Sequence, residues 1–322
     1  MAITARVRPA ILRATREAYA DALMELGGSR PEVVALDCDL SKSTGSAKFG
    51  KAFPERFINC GVAEQSMMGA AAGLAASGKI CFTGSFAIFA VGRAYEQVRN
   101  TVAYCKLNVK MCPSHAGVTV GPDGGSHQSV EDIALMRGLP NMAVVVPADY
   151  WQAKAAVLAA ADIAGPVYIR MGRPKLPELF DSSYRFELGK ADLLRQGSDV
   201  TIVAAGVTVF EAMSAAEQLA REGVSAEVIN MASIKPFDAA MLLESATKTG
   251  AVVTVEEHSI IGGLGSAVAE VLSEALPTPL KRLGLRDCFG TSGEAAELLD
   301  HFGISEPHIV AAVKNFALHG SV

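Results

Sequence analysis

The chain has 322 residues, of which 50% are hydrophobic and 20% charged, and a formal net charge of −5. That length exceeds one ordinary hydrophobic core and predicts two domains of a globular protein. The acidic balance gives no electrostatic basis for nucleic-acid binding, and Arg, Glu or Lys interrupts every apolar run short of the roughly 18 to 20 residues of a membrane span. The opening stretch MAITARVRPA lacks the apolar core of a signal peptide, so cytoplasm is the expected compartment. Cys38, Cys60, Cys81, Cys105, Cys112 and Cys288 form no CxxC pair and mostly sit in apolar segments. They are expected to be reduced, small hydrophobes.

Helix-period apolar residues run from Ile11 to Leu26, and Val33 to Leu36 reads as a short strand ending in Asp37-Cys38-Asp39. A helix opened by Glu64 follows, then strand Ile80 to Thr83, a long amphipathic helix over Ile88 to Cys105, and strand Asn108 to Cys112. After the loop Ser114 to Ser129 come helix Val130 to Arg137, strand Ala143 to Val146, helix Asp149 to Asp162 and strand Val167 to Arg170. Gly172 to Lys190 is rich in Pro and polar residues and reads as a linker. A second alternation starts at Asp199 to Gly206 and continues with helix Val207 to Glu222, strand Ala226 to Asn230, helix Asp238 to Thr247, strand Ala251 to Glu256 and helix Gly262 to Ala275. The fold class is therefore α/β, with two domains that are each a mostly parallel sheet flanked by helices.

Ligands bind at the carboxyl ends of such strands, where DCDLSKS, GSF, PSH and the long glycine loop are expected. Glu64 stands out because a carboxylate in an apolar helix needs a partner. In GVTVGPDGGSHQS, the glycines at 117, 121, 124 and 125 permit unusual backbone angles and close approach of a ligand. His115, Asp123 and His127 are spaced so that a folded-back loop aims them inward as acid/base and hydrogen-bonding groups; a solvated turn with two surface histidines is the alternative. Their spacing matches no metal-ligand pattern. No GxxxxGK[ST] occurs, and GLGSAVAE at Gly263 lacks a full GxGxxG and reads as a tight turn into a helix. His258 reads as a packed or interface residue.

NCGVAEQSMMGAAAGLAASG, FTGSFAIF, SHAGVTVGPDGGSHQSVEDIALMRGLPNMAVVVPAD and GPVYIRMGRPKLP together resemble the thiamine diphosphate enzymes of the transketolase family. The segment from ADLLRQGSDVTIVAAG to VVTVEEHSIIGGLGSAVAEVL resembles that family's third domain, so the likeness covers essentially the whole chain. It implies a pyrimidine-binding domain over 1–175, a linker over 176–190 and a C-terminal domain over 191–322. It also implies that Glu64 faces N1′ of the cofactor's aminopyrimidine and shares a proton with it, since an apolar site raises a carboxyl's pKa. Phe86 and Phe89 match aromatics that pack on the pyrimidine, although that spacing also suits a core. Asp123 matches a residue that hydrogen-bonds a donor-sugar hydroxyl, His127 one beside the reacting carbonyl, and His115 one at the sugar phosphate. Arg16 and Ser43 match further phosphate or sugar contacts. Arg170 or Arg173 is expected to supply the remaining phosphate clamp, for which a planar guanidinium is suited.

Two departures stand out. Gly92 occupies the place of a tyrosine expected three residues after Phe89, and no GDG metal-diphosphate motif occurs. The chain therefore resembles the C-terminal half of a split transketolase. The resemblance implies a separate N-terminal-half subunit that brings the diphosphate and Mg²⁺ site, an α₂β₂ assembly with cofactor between subunits, and no activity for the chain alone. A 2-oxoacid dehydrogenase beta chain and a deoxyxylulose-phosphate synthase share the layout, but DGGSH and the chain length favour transketolase. A scaffold subunit would have no need of Glu64, Asp123 and His127.

Overall fold

The computed structural model describes residues 11–317. The stretch 1–10, read above for a leader, and residues 318–322 lie outside the described residues. Runs of consecutive apolar residues make strands that are covered on both faces, as parallel sheets require. The strands of the first half are β1 (Leu12–Ala14), β2 (Val33–Asp37), β3 (Phe57–Asn59), β4 (Ile80–Gly84), β5 (Val109–Met111), β6 (Ala143–Val145), β7 (Val167–Ile169) and β8 (Lys175–Pro177). Every residue of β2, β4, β5, β6 and β7 is buried. The helices between them are α1 (Thr15–Ser29), α2 (Ser41–Thr44), α3 (Ala47–Ala52), α4 (Glu64–Ala76), α5 (Asp132–Arg137) and α6 (Tyr150–Ala160).

The second half adds β9 (Asp192–Arg195), β10 (Val200–Ala204), β11 (Ala226–Asn230), β12 (Ser233–Lys235), β13 (Val252–Ser259) and β14 (Leu280–Leu285). Its helices are α7 (Thr208–Arg221), α8 (Ala239–Thr249), α9 (Leu264–Ala275), α10 (Ala295–His301) and α11 (Glu306–Ala317). The first sheet has the order β12-β6-β7-β5-β4-β2-β3 and is parallel except at β12; the second is β14-β13-β10-β11-β9 and is parallel except at β9. Both domains are thus mostly parallel sheets flanked by helices, as the alternation of patterns predicts.

Several expectations need correction. The helix read from Ile11 starts at Thr15, because Leu12–Ala14 pairs antiparallel with Lys175–Pro177 at the head of the expected linker. The helix read over Ile88 to Cys105 is not regular: it contains two π-helical stretches, Phe89–Arg93 and Gln97–Ala103. Cys105 and Cys288 are exposed instead of lying in apolar surroundings, and all six cysteines are free. No helix among the described residues is long and apolar enough to cross a membrane.

The two domains share material. β12 follows β11 in the second half of the chain yet pairs with β6 on the edge of the first sheet. The largest apolar cluster runs through both domains, joining Met67, Met68 and Met111 to Ile229, Met231 and Leu264. At the junction Asp149 caps α6 by accepting from Gln152 N at 2.8 Å, and its other oxygen accepts from Leu179 N and Phe180 N in the linker. Gln152 Nε2 donates to Tyr184 and to Asp192, both at 2.9 Å, which fastens the linker to β9.

The strongest tie is ionic. Arg170, just after β7, is 4% exposed and donates through Nε to Asp132 at 2.8 Å and through Nη1 to Glu257 at 3.4 Å. Its Nη2 reaches the Ser129 and Glu257 carbonyl oxygens, both at 3.2 Å. Tyr168 also donates to Asp132. Beside this cluster His258 is fully buried and accepts from Ala134 N, an interdomain packing role. Gly263 opens α9 as the tight turn expected there, and the Glu256 carboxylate accepts from Leu264 N and Gly265 N. A Cβ on Gly263 would lie 2.1 Å from that carboxylate.

Arg170→Met leaves two buried carboxylates without their cation, which costs about 3–5 kcal/mol. The expected outcome is a thermal midpoint lower by roughly 10 °C, measured by circular dichroism on the whole chain.

Candidate active site

Four strand ends supply the site. At the end of β2, Asp37 accepts from Leu40 N at 2.7 Å and from Thr44 Oγ1 and Ser46 Oγ at 2.8 Å, which folds the DCDLSKS loop into the turn that carries Ser43. Burial pushes the Asp37 carboxyl up. Arg16, on the first turn of α1, donates from Nη1 to the Ser43 carbonyl oxygen at 3.0 Å. Ser43 is thus joined to Arg16 through its backbone.

Past β4, Ser85 Oγ donates to Glu64 Oε1 at 3.3 Å, and Phe86 forms a bridge with Ser114 beyond β5. Next to Ser114, His115 stands in left-handed backbone at φ +59. Its ring stacks on Phe86 with centroids 3.9 Å apart, and its Nδ1 lies 2.8 Å from Ser114 Oγ. Phe89 stacks beside Phe86 at 6.2 Å and meets the edge of His127 at 5.4 Å. His127 Nδ1 lies 2.9 Å from Ser126 Oγ.

The glycine loop reaches this wall because it is clamped from the second domain. Thr119 donates to Glu257 Oε2 through its hydroxyl at 2.8 Å and its N–H at 3.1 Å. Gln128 Nε2 donates to the Val118, Gly121 and Thr291 carbonyl oxygens. Gly117 sits at φ +77, and a Cβ there would lie 2.2 Å from the Glu257 carboxyl carbon; one on Gly125 would lie 2.6 Å from the Gly290 carbonyl oxygen. Glycine is required at both points by contact with the other domain.

Arg173, past β7, donates to the Val120 carbonyl oxygen and lies 3.9 Å from the half-exposed Asp123. Arg173 and Arg16 repel each other enough to contribute to the lowered pKa of half-buried Arg16, whose main cause is burial. Burial, then the charges of Arg16, Arg173 and His127, pushes His115 down to about 3, so it is neutral above mildly acidic pH. Two cations, a neutral imidazole and a carboxylate therefore share one mouth, an arrangement that attracts an anionic, hydroxyl-bearing ligand.

Glu64 is the first residue of α4 and is 1% exposed, with Oε2 2.8 Å from Arg93 Nη1. The resemblance points to a ligand as its partner; within the chain its partners are Ser85, in the GSF stretch at the end of β4, and Arg93, which no motif announces because it falls inside the expected amphipathic helix. Arg170 also needs correction as a phosphate clamp, because its guanidinium is spent on Asp132, Glu257 and two carbonyl oxygens in the domain junction. Arg16, Ser43, His115, Asp123, His127 and Arg173 are brought to the mouth, with Phe86 and Phe89 between them and Glu64.

These features are those of a thiamine-type pyrimidine domain with its C-terminal companion, and the comparisons agree. Residues 13–178 match the family model for the transketolase pyrimidine binding domain and residues 189–309 that for the transketolase C-terminal domain. A solved structure of a split gene transketolase, an inactive beta4 tetramer, superposes with a TM-score of 0.89 at 55% identity, covering 95% of this chain and 98% of the other. The 6-deoxy-6-sulfo-D-fructose transketolase subunit SqwH of Clostridium sp. is 49% identical over 92% of each chain. An apulose-4-phosphate transketolase subunit of Phocaeicola vulgatus is 40% identical over 94% of this chain and 97% of its own. The chain belongs to the transketolase family, thiamine-dependent transferases, and corresponds to the subunit of split forms that works with a partner.

The depressed His115 pKa has a consequence for acid stability. The unfolded chain binds a proton at about the ordinary value of 6.5 that the folded chain refuses until about 3, so stability falls as pH drops through that window and is unaffected above it. His258, pushed down to about 4 by burial, acts in the same direction. His115→Gln is expected to flatten the fall of the unfolding midpoint between pH 6.5 and 4 relative to wild type; an unchanged slope would show that the buried imidazole is not responsible.

Proposed function

We propose that this chain is the C-terminal-half subunit of a split transketolase that moves a two-carbon ketol unit from a ketose phosphate to an aldose phosphate. The observation that carries this reading is the mouth where Arg16 and Arg173 surround His115 and Asp123, joined by an aromatic wall to a buried carboxylate. The residues fit thiamine diphosphate at its pyrimidine end. Glu64 is a buried carboxylate able to address a ring nitrogen, and Phe86 and Phe89 are flat apolar surfaces for the ring. When bound, the cofactor supplies the electron sink needed to break and remake a carbon–carbon bond beside a carbonyl. In this reading Glu64 holds the proton shared with the ring, His127 holds or moves one at the substrate oxygen, and Asp123 orients a hydroxyl. Arg16 and Arg173 bind the terminal anion.

Among the described residues no group of three or more His, Cys, Asp or Glu is placed to hold a metal ion. The proposal puts Mg²⁺ and the diphosphate on an N-terminal-half subunit, in an α₂β₂ assembly in the cytoplasm. The relatives carry names drawn from different sugars, a sulfofructose and apulose phosphate, and a paired-arginine mouth takes a sulfonate as well as a phosphate.

The test is to co-express the chain with an N-terminal-half partner, add thiamine diphosphate and Mg²⁺, and assay transfer from xylulose 5-phosphate to ribose 5-phosphate and from sulfofructose. Transfer from the phosphate donor only with both chains present, and its loss in Glu64→Ala, is expected. Transfer from the sulfonate alone would replace the phosphate in the proposal, and full activity of Glu64→Ala would overturn the site. Arg16→Ala or Arg173→Ala is expected to raise KM for the phosphorylated donor about tenfold to a hundredfold, with little effect on an unphosphorylated ketose.

A further inference from the structure

Glu64 carries a standing partner within its own chain. Its Oε2 lies 2.8 Å from Arg93 Nη1, and the two side chains differ sharply in exposure, 1% for Glu64 and 49% for Arg93. Arg93 closes the π-helical stretch Phe89–Arg93, and wide turns of that kind recur where a helix must re-aim a functional side chain. Its guanidinium carbon lies 5.4 Å from the Phe89 ring centroid, so the cation is stacked against the same aromatic wall that lines the site. The neighbouring residue is Gly92, where even an added Cβ would touch only Ile88 Cδ1 at 4.0 Å, so no side chain at 92 crowds this edge.

The other ionisable groups near this end of α4 do not compete for the role. Burial pushes the Cys38 thiol up to about 12, with the charge of Glu64 adding to it, so it stays neutral. Asp37 on β2 is turned to Leu40, Thr44 and Ser46. Arg99, on the second π-helical stretch, donates to Asn100. Among the described residues, Arg93 alone forms an ion pair with Glu64.

We propose that Arg93 is a positioning residue for the reaction: it holds the Glu64 carboxyl turned into the pocket. This rests on the reading of Glu64 as the group that addresses the cofactor's ring. A carboxylate with this little water contact needs a polar partner, and Arg93 is the cation at hydrogen-bond distance from it. Because the Arg93 side chain is half exposed, it can give way at small cost when a ring nitrogen takes its place beside Glu64.

Two measurements test it. In the reconstituted two-subunit enzyme with thiamine diphosphate and Mg²⁺, Arg93→Met is expected to lower kcat about tenfold or more with KM for the donor little changed, and Arg93→Lys to restore it. In the chain alone, thermal unfolding of Arg93→Met, Glu64→Gln and the double variant reads the pair without any turnover. Arg93→Met is expected to lower the midpoint by a few degrees in the wild-type background and to leave it unchanged in the Glu64→Gln background. Equal effects in both backgrounds would overturn the pair itself. Coupled midpoints with an unchanged kcat would make Arg93 structural only and overturn its role. A wild-type assembly that transfers no ketol unit would instead overturn the functional reading, and the role with it, while the unfolding cycle still reports on the pair.

Discussion

One buried cation fastens this molecule together. Arg170 is held by Asp132 from the first domain and by Glu257 from the second, and Glu257 in turn holds Thr119 of the glycine loop. The arrangement converts the domain junction into the support of the active site. A loop with glycines at four positions would otherwise have little reason to keep one shape. Here Glu257, the carbonyls around Gln128 and the close approach of Gly125 to Gly290 leave it a single path. Ion clusters of this depth add little net stability, because desolvation offsets most of the attraction. What the cluster contributes is a fixed relation between strand ends that belong to different sheets.

The chemistry then divides along the wall of Phe86, Phe89 and His115. On one side lies a buried carboxylate with a partly exposed counter-ion; on the other lies a mouth where two arginines reach the solvent beside a buried, neutral histidine. The split follows from burial. His115, stacked on Phe86 and surrounded by cations, cannot carry charge itself and so serves as a neutral hydrogen-bonding group. Arg16 and Arg173 keep their charges in water, where an incoming anion can reach them. Helix α4 places its one charged residue at its first position, so Met67, Met68, Ala71 and Ala72 fill the core while Glu64 points to the strand ends.

Much of this was legible in the sequence, and the parts that were not have physical reasons. Val33–Asp37, Ile80–Gly84 and Val200–Ala204 are mostly apolar runs buried on both faces, the pattern that most plainly marks a parallel strand. Phe57–Asn59 and Ser233–Lys235 lie at sheet edges, are three residues long and carry no periodicity, so nothing local marked them. Leu280–Leu285 interleaves Lys, Arg and Gly, as an edge strand half in water does. The motifs pointed to His115, Asp123, His127 and Glu64 because their residue types are costly in ordinary roles. The pattern could not separate Arg170 from Arg173, since two arginines three residues apart differ only in which way the chain turns after β7. Arg93 escaped notice because a helix of period 3.6 would have aimed it elsewhere, and π-helical turns leave no trace in apolar spacing.

The edge position of β12 bears on how the chain can be divided. The strand belongs to the C-terminal half by sequence and to the pyrimidine-binding sheet by hydrogen bonding, through Ser233 opposite Val145 and Val146 N donating to the Ala232 carbonyl oxygen. A fragment cut at the linker would leave β6 as an open edge, with unpaired backbone groups beside apolar side chains, which invites association with other chains. The domain boundary that a sequence match draws is therefore no seam along which the molecule comes apart.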